Sequence, residues 1–330
     1  MIEPLPKVRW GVLGYARIAR LELIPAMQRA ANSEFFALAS RDTTKLAEAR
    51  STFPGLSRTY HGYDELLRDP EIEAVYIPLP NSLHREWTLK AAAHGKHVLC
   101  EKPLALTAAD VREMTAACAA HGVFFMEAFM YRYTDRMRQV EAVLRSGALG
   151  EIKFVHASHR FLLNRPDSIK LKPELGGGAL YDVGCYPVNF AGVVADFAAG
   201  APGAARPASV AVECVRTGGI DESFSALLKY PSGLIASLHC GFNASKRIAA
   251  EIAGTQGVLE VPDTFLDNVG ALTLTLSDER REIPVAASDR YRSEIEDFAD
   301  AIRQKRAPRL GLAESLRNAE VIDQLLAASR

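Results

Sequence analysis

Two short segments carry residue types suited to moving a proton at a hydroxyl group. The first is His97-Val98-Leu99-Cys100-Glu101-Lys102-Pro103, an apolar run that ends in an acid and an amine. Ligands of open α/β sheets bind beyond the carboxyl ends of the strands, where Glu101 and Lys102 would stand. A surface ion pair between strand and helix is the plainer reading. The second segment is Gly176-Gly177-Gly178-Ala179-Leu180-Tyr181-Asp182-Val183-Gly184-Cys185-Tyr186-Pro187. Three glycines let a backbone pass close to a ligand or to another stretch of chain. On a helix, Asp182 and Tyr186 share a face at i,i+4, although Pro187 disfavours helical geometry at Tyr186. The plainer reading here is a loop with a capping aspartate. Tyrosine and lysine both titrate near 10 when unperturbed. A nearby ammonium stabilises a phenolate, so the pair suits general acid–base work on an alcohol. Tyr186 is assigned as acid/base, Lys102 as the group that polarises the oxygen, and Asp182 as the group that orients either Lys102 or the hydroxyl. The first two roles are exchangeable, because coupled groups share their titration.

Such chemistry needs an electron carrier, and the N-terminus offers a place for one. Gly14-Tyr15-Ala16-Arg17-Ile18-Ala19 follows an apolar strand and opens a helix, the setting of a dinucleotide fingerprint. Alanine stands at two of its three glycine positions, so the motif alone is weak. Ser40-Arg41 ends the second strand, where an acid would read the ribose of NAD. An arginine there suits the 2′-phosphate of NADP. NADP(H) is therefore favoured over NAD(H), the alternative for Arg41 being a solvated surface side chain. Asp42 reads as a helix cap.

The elements that position these residues alternate. Strands are predicted at 7–13, 35–39, 74–78, 96–100 and 123–126, with helices at 17–30, 43–51, 86–94 and 107–120 between them. Ile18, Leu21, Ile24 and Pro25 line the inner side of the first helix. This is the α/β order of a doubly wound parallel Rossmann sheet. After about Glu127 the pattern changes. A helix at 136–146 precedes strands with period-2 alternation, such as Phe224 to Tyr230 and Leu272 to Leu276. They imply an α+β domain with a large, mostly antiparallel sheet covered by helices on one face. Ala198 to Pro207 reads as a surface loop, and helices at 291–304 and 312–328 end the chain. The expected division is a cofactor domain at 1–127 and a substrate and oligomerisation domain at 128–330.

Composition limits the function classes. Of 330 residues, 48% are hydrophobic and 24% charged, with a net charge of -1. That supports a good core and argues against nucleic acid as partner. Five scattered cysteines make a poor disulfide framework, and with no signal-like N-terminus or apolar span they point to a cytoplasmic protein away from membranes. His156 and His159, three apart in a strand, fall on opposite faces. His94 and His97 flank a turn without a carboxylate in ligand spacing, so no metal is expected. Cys185 reads as packing.

Taken together, Glu101-Lys102-Pro103, the Gly14 turn, Pro78-Leu79-Pro80-Asn81-Ser82-Leu83-His84 and the Gly-Gly-Gly-Ala-Leu-x-Asp-x-Gly-x-Tyr block resemble the Gfo/Idh/MocA family over nearly the whole chain. The resemblance implies a Rossmann domain plus an open-sheet domain that forms a homodimer or a dimer of dimers. It implies a cis peptide before Pro103 and hydride transfer at a sugar, polyol or cyclic diol carbon. It places Gly11, Gly14, Tyr15, Ala16, Arg17, Ile18, Ser40, Arg41, Pro78, Leu79, Pro80, Asn81, His84, Glu101 and Lys102 at the cofactor. Tyr186, where inositol dehydrogenases carry histidine, resembles glucose–fructose oxidoreductase, dimeric dihydrodiol dehydrogenase and NADP-linked xylose dehydrogenases. Tyr131, Arg132, Arg160, Asn164 and Tyr291 are candidates for lining the substrate cleft or for packing between domains. Two rival functions remain: a non-catalytic NADP-binding regulator, and a redox-neutral, NAD-using glycosidase-like relative.

Overall fold

The computed structural model describes residues 6–329. The chain divides into two compact units. The first takes the chain through Ala105, then Ala109–Met130 and Asp289–Leu312. The second holds Leu106–Ala108, Tyr131–Ser288 and the chain from Ala313. The main switch thus falls at Met130/Tyr131, and one C-terminal segment returns to the first unit, which a single cut after residue 127 does not provide for.

The first unit is built on β1 (Val8–Leu13), β2 (Ser33–Ala39), β3 (Arg58–Tyr60), β4 (Ala74–Ile77), β5 (His97–Glu101) and β6 (Phe125–Ala128). Across both units the helices in chain order are α1 (Ile24–Arg29), α2 (Thr43–Thr52), α3 (Tyr63–Arg68), α4 (His84–Ala93), α5 (Ala108–Ala120), α6 (Asp135–Ser146), α7 (Cys185–Ala199), α8 (Arg290–Gln304) and α9 (Leu312–Ala328), of which α6, α7 and α9 belong to the second unit. The six strands pair in parallel in the order β3-β2-β1-β4-β5-β6. That is the strand order of dinucleotide-binding sheets, and it reverses direction between β1 and β4. A parallel sheet is covered on both faces, so its strands read as continuous apolar runs. β4, Ala74-Val75-Tyr76-Ile77, is buried throughout.

α8 joins this unit through an apolar stripe at helical spacing. Ile295, Phe298, Ala299 and Ile302 are buried, and the Phe298 ring lies 5.7 Å from Trp10. Arg303 adds an ion pair to Glu73. The first helix departs from expectation. A π-turn at Ala19–Leu23 precedes α1, and Leu21 is exposed rather than inward. Pro25 has no N–H for the i−4 bond, so a regular helix cannot run through it. β3 and α3 were not foreseen. β3 is three residues of intermediate burial, too short for a periodic signal.

The second unit contains β7 (Ile152–Leu162), β8 (Ser209–Thr217), β9 (Ile220–Lys229), β10 (Ile235–Gly241), β11 (Asn243–Gly254), β12 (Gly257–Pro262), β13 (Gly270–Leu276) and β14 (Glu279–Val285). Their order is β14-β13-β12-β11-β7-β10-β9-β8. β10 and β7 run parallel, and the other neighbours are antiparallel. β9 shows the one-faced alternation: Phe224, Ala226 and Leu228 are buried, while Leu227 and Lys229 are exposed. α7 packs on β7 and β10. Its residues Cys185 to Asp196 are all buried, as suits a helix that is apolar on every side.

Candidate active site

In the first unit the turn after β1 is shaped by Gly14. Its φ is +104°, a left-handed value that side chains rarely adopt, and its N–H donates to Ala39 O at 2.8 Å. A Cβ here would also stand 3.1 Å from Leu79 and 3.4 Å from the Tyr63 hydroxyl. At the end of β2, Asp42 caps α2 through the N–H groups of Thr44 and Lys45, and Ser40 Oγ accepts from Asp42 N at 3.1 Å. Arg41 is left exposed. Its guanidinium lies near the Tyr63 hydroxyl: burial raises the Tyr63 pKa, and Arg41 pulls it back. The Tyr63 ring stands edge-on to Trp87 at 4.8 Å. The buried Tyr15 hydroxyl has no hydrogen-bond partner. A bare turn at a strand end, with an exposed planar cation beside it, fits a dinucleotide that carries an extra phosphate.

β5 delivers Glu101 and Lys102 to the same end of the sheet. Tyr76 donates to Glu101 at 2.6 Å, and Lys102 N donates to the other Glu101 oxygen at 3.3 Å. The Lys102–Pro103 peptide is cis, as the family resemblance implies. The loops on either side are pinned by His84. Its ring nitrogens lie 2.9 Å from Leu79 O and 3.0 Å from Pro103 O. Burial lowers the His84 pKa, so at neutral pH the ring carries a single N–H and serves one of the two carbonyls. Beneath Glu101, Glu294 of α8 is fully buried with no hydrogen-bond partner at either oxygen. Burial first, then the neighbouring Glu101, pushes its pKa well above the carboxylate range.

In the second unit the glycine run is held by its surroundings. Gly177 leaves no room for a side chain, since a Cβ would stand 2.6 Å from Lys170 O and 2.8 Å from Lys172 O. Gly178 has φ +123°, and Asp221 Oδ1 occupies the place of a Cβ. Buried Asp221 accepts from Leu180 N at 2.5 Å and so caps the turn that follows. Leu180–Gly184 forms a π-turn that leads straight into α7. Pro187 lies in the first turn of α7, where a missing N–H costs little, so Asp182 and Tyr186 are presented by one continuous helical segment. Asp182 pairs with Lys170 at 2.5 Å. Tyr186 sits among Tyr131, His159 and Phe265, with ring centroids 5.8, 5.1 and 5.3 Å away.

Residues 8–129 match the family described as "Oxidoreductase family, NAD-binding Rossmann fold", and residues 137–260 match the GFO/IDH/MocA C-terminal domain. An uncharacterized oxidoreductase from Rhizobium meliloti is 36% identical, with 96% of each chain covered. A D-xylose 1-dehydrogenase (NADP(+)) from Haloferax volcanii is 35% identical, with 96% of this chain and 95% of that one covered. The crystal structure of a 3-ketoreductase from Actinomadura kijaniata in complex with NADP and TDP-benzene superposes with a TM-score of 0.90 at 29% identity, covering 98% of both chains. This chain belongs to the GFO/IDH/MocA oxidoreductase family.

Within that family frame the structure separates the sequence-assigned residues. Gly14, Tyr15, Ala16, Arg17, Ile18, Ser40, Arg41, Pro78, Leu79, Pro80, Asn81, Glu101 and Lys102 all lie in or beside the turns after β1, β2, β4 and β5. Gly11 has a different reason. A Cβ there would meet Leu66 of α3 at 2.6 Å, so it is a packing position. His84 ties loop to loop rather than facing outward. Tyr131 is fully buried and donates to Asn189 Oδ1. Arg132 is buried in ion pairs with Glu314 and Glu141. Both groups make these contacts within the second unit. Arg160 lies on the sheet face opposite His159, next to Ser158, and so away from Tyr186. Asn164 is exposed after β7. Tyr291 is buried in the first unit near Glu101. Sequence reasoning missed Tyr63 and Lys170. Tyr63 begins a helix that carried no sequence signal, and Lys170 comes from an irregular stretch between β7 and the glycine run.

Proposed function

We propose that this chain is an NADP(H)-dependent oxidoreductase acting at a hydroxyl or carbonyl carbon of a sugar, polyol or cyclic diol. The observation that carries the reading is Arg41. It stands exposed at the β2 end beside the Gly14 turn, with the nearest acid, Asp42, engaged as a helix cap. A relative that is 35% identical is NADP-linked by name, and so is the complex of the similar ketoreductase. The nicotinamide supplies the hydride chemistry when bound. The chain's own residues handle the rest. Tyr186 holds or receives the proton of the reacting hydroxyl, Lys102 polarises its oxygen, and Asp182 orients it. Nothing in this assignment requires a metal.

Cofactor titration tests the reading. A charge-assisted contact with phosphate contributes roughly 1.5–3 kcal/mol, or about one to two decades in affinity. NADP(H) is expected to bind that much more tightly than NAD(H), and Arg41→Ala to remove most of the difference. Equal affinities in the parent protein, or an unchanged preference in Arg41→Ala, contradict it.

The partners we propose are a polyhydroxylated small molecule and a second copy of this chain, in the cytoplasm, with neither nucleic acid nor membrane involved. Among the described residues no helix is long and apolar enough to cross a membrane. The open face of the second unit's sheet exposes Phe154 and Leu227, at 57% and 53%, where a one-sided sheet would show polar groups. Pairing through this face predicts a dimer or dimer of dimers by sedimentation, dissociated in Phe154→Glu/Leu227→Glu. A monomeric parent protein contradicts it.

A further inference from the structure

Lys170 has no part in the proton handling described above, yet it is bonded to Asp182. Its Nζ lies 2.5 Å from Asp182 Oδ2. The backbone around it is fixed. Lys170 N donates to Ser168 Oγ at 3.4 Å, and Lys170 O accepts from Gly178 N at 2.9 Å. The ammonium also lies over the Phe161 ring, 5.3 Å from its centroid. These main-chain bonds hold the residue that carries the ammonium beside the glycine run. Nor is the pair sealed: the two side chains keep 27% and 18% of their surface exposed.

The chemistry of such a pair is specific. An ammonium offers three donors and no acceptor, and an ionised carboxylate accepts only. Side by side they present one donor and one acceptor at hydrogen-bond spacing. A single hydroxyl engages one of them. Two hydroxyls on neighbouring carbons engage both, one donating its O–H to Asp182 and the other accepting from Lys170. Both contacts are charge-assisted and therefore the stronger kind.

We propose that Lys170 is a specificity-determining residue which, with Asp182, recognises a vicinal diol. It rests on the oxidoreductase reading only for the corollary that the diol includes or adjoins the reacting carbon. The pair then selects substrates with a free hydroxyl beside that carbon.

Binding, rather than turnover, gives the test. The full-length protein, loaded with NADPH, is titrated with cyclohexane-1,2-diol and with cyclohexanol, and both dissociation constants are read by ligand-observed NMR. The parent protein is expected to prefer the diol by about tenfold, the scale of one charge-assisted hydrogen bond. Lys170→Met is expected to lose that preference and bind the diol and cyclohexanol alike, and Lys170→Arg to retain most of it. Asp182→Asn, which keeps the shape of the side chain, is expected to lose it as well and guards against a lysine variant that fails to fold. Equal affinities in the parent protein overturn the inference, and so does an intact preference in Lys170→Met. Turnover is read separately with NADP⁺, because NADPH cannot oxidise an alcohol: diol preference together with no NADP⁺ reduction by any diol and no NADPH oxidation by any carbonyl compound would contradict the oxidoreductase reading and leave the role of Lys170 standing.

Discussion

Replacing Lys102 with methionine, or Tyr186 with phenylalanine, is expected to lower kcat by about 10²–10⁴-fold, the usual contribution of a positioned acid or base. The reason lies in what each change removes. Tyr186→Phe deletes the only titratable atom of a ring that is otherwise held by three aromatic neighbours. The packing therefore survives while the proton carrier is lost. Lys102→Met keeps the length of the side chain and removes the ammonium, leaving the Tyr76–Glu101 hydrogen bond and the His84 tie in place. NADP(H) titration separates chemistry from structure: both variants should still bind cofactor. Turnover near the parent rate in both contradicts the assignment of these residues.

The largest expected loss of stability is in Asp196→Ala. Asp196 lies near the end of α7, far along the helix from Tyr186, and three groups depend on it. It accepts from Gly203 N at 2.8 Å and Ala205 N at 3.0 Å, and it pairs with Arg317. The Arg317 side chain is 1% exposed, and Gly192 leaves the space its guanidinium fills. Removing the carboxylate leaves buried Arg317 only a longer pair with Glu314 at 3.9 Å and a hydrogen bond to Asn318, and takes the acceptor from one buried and one half-buried amide, at a cost of about 3–5 kcal/mol. Denaturant unfolding checks this, and the double variant Asp196→Ala/Arg317→Met should recover part of the loss, because it also removes the cation that Asp196 neutralised, while Glu314 keeps its pair with Arg132. A loss below about 1 kcal/mol contradicts the account of this network.

What the sequence made legible followed from local rules. The parallel strands announced themselves as apolar runs at strand ends rich in glycine and proline, and Asp42 caps α2 as its side chain requires. The glycine run was read as a close backbone approach, and Gly177 and Gly178 show what approaches: the carbonyls of Lys170 and Lys172, and Asp221. These partners come from other strands and loops, so no spacing rule reveals them. The same holds for Arg132. An arginine beside two tyrosines suits a cleft or a packed interior alike, and its partner Glu314 lies 182 positions away. His84 lies near the expected cofactor loop in sequence, and its ring turns inward to two carbonyls that no spacing rule reveals. Pro187 suggested a break after Tyr186, yet the first turn of a helix tolerates a residue without an N–H.

The central claim is tested most directly by a substrate panel. Aldoses, ketosugars, polyols and trans-dihydrodiols are offered with NADP⁺ or NADPH, and nicotinamide absorbance is followed at steady state. The account predicts continuous cofactor reduction or oxidation with at least one polyhydroxylated compound, faster with NADP(H) than with NAD(H), and about 10²–10⁴-fold slower in Tyr186→Phe. Tight NADP(H) binding with no net change in absorbance across the panel, in either direction, would contradict it.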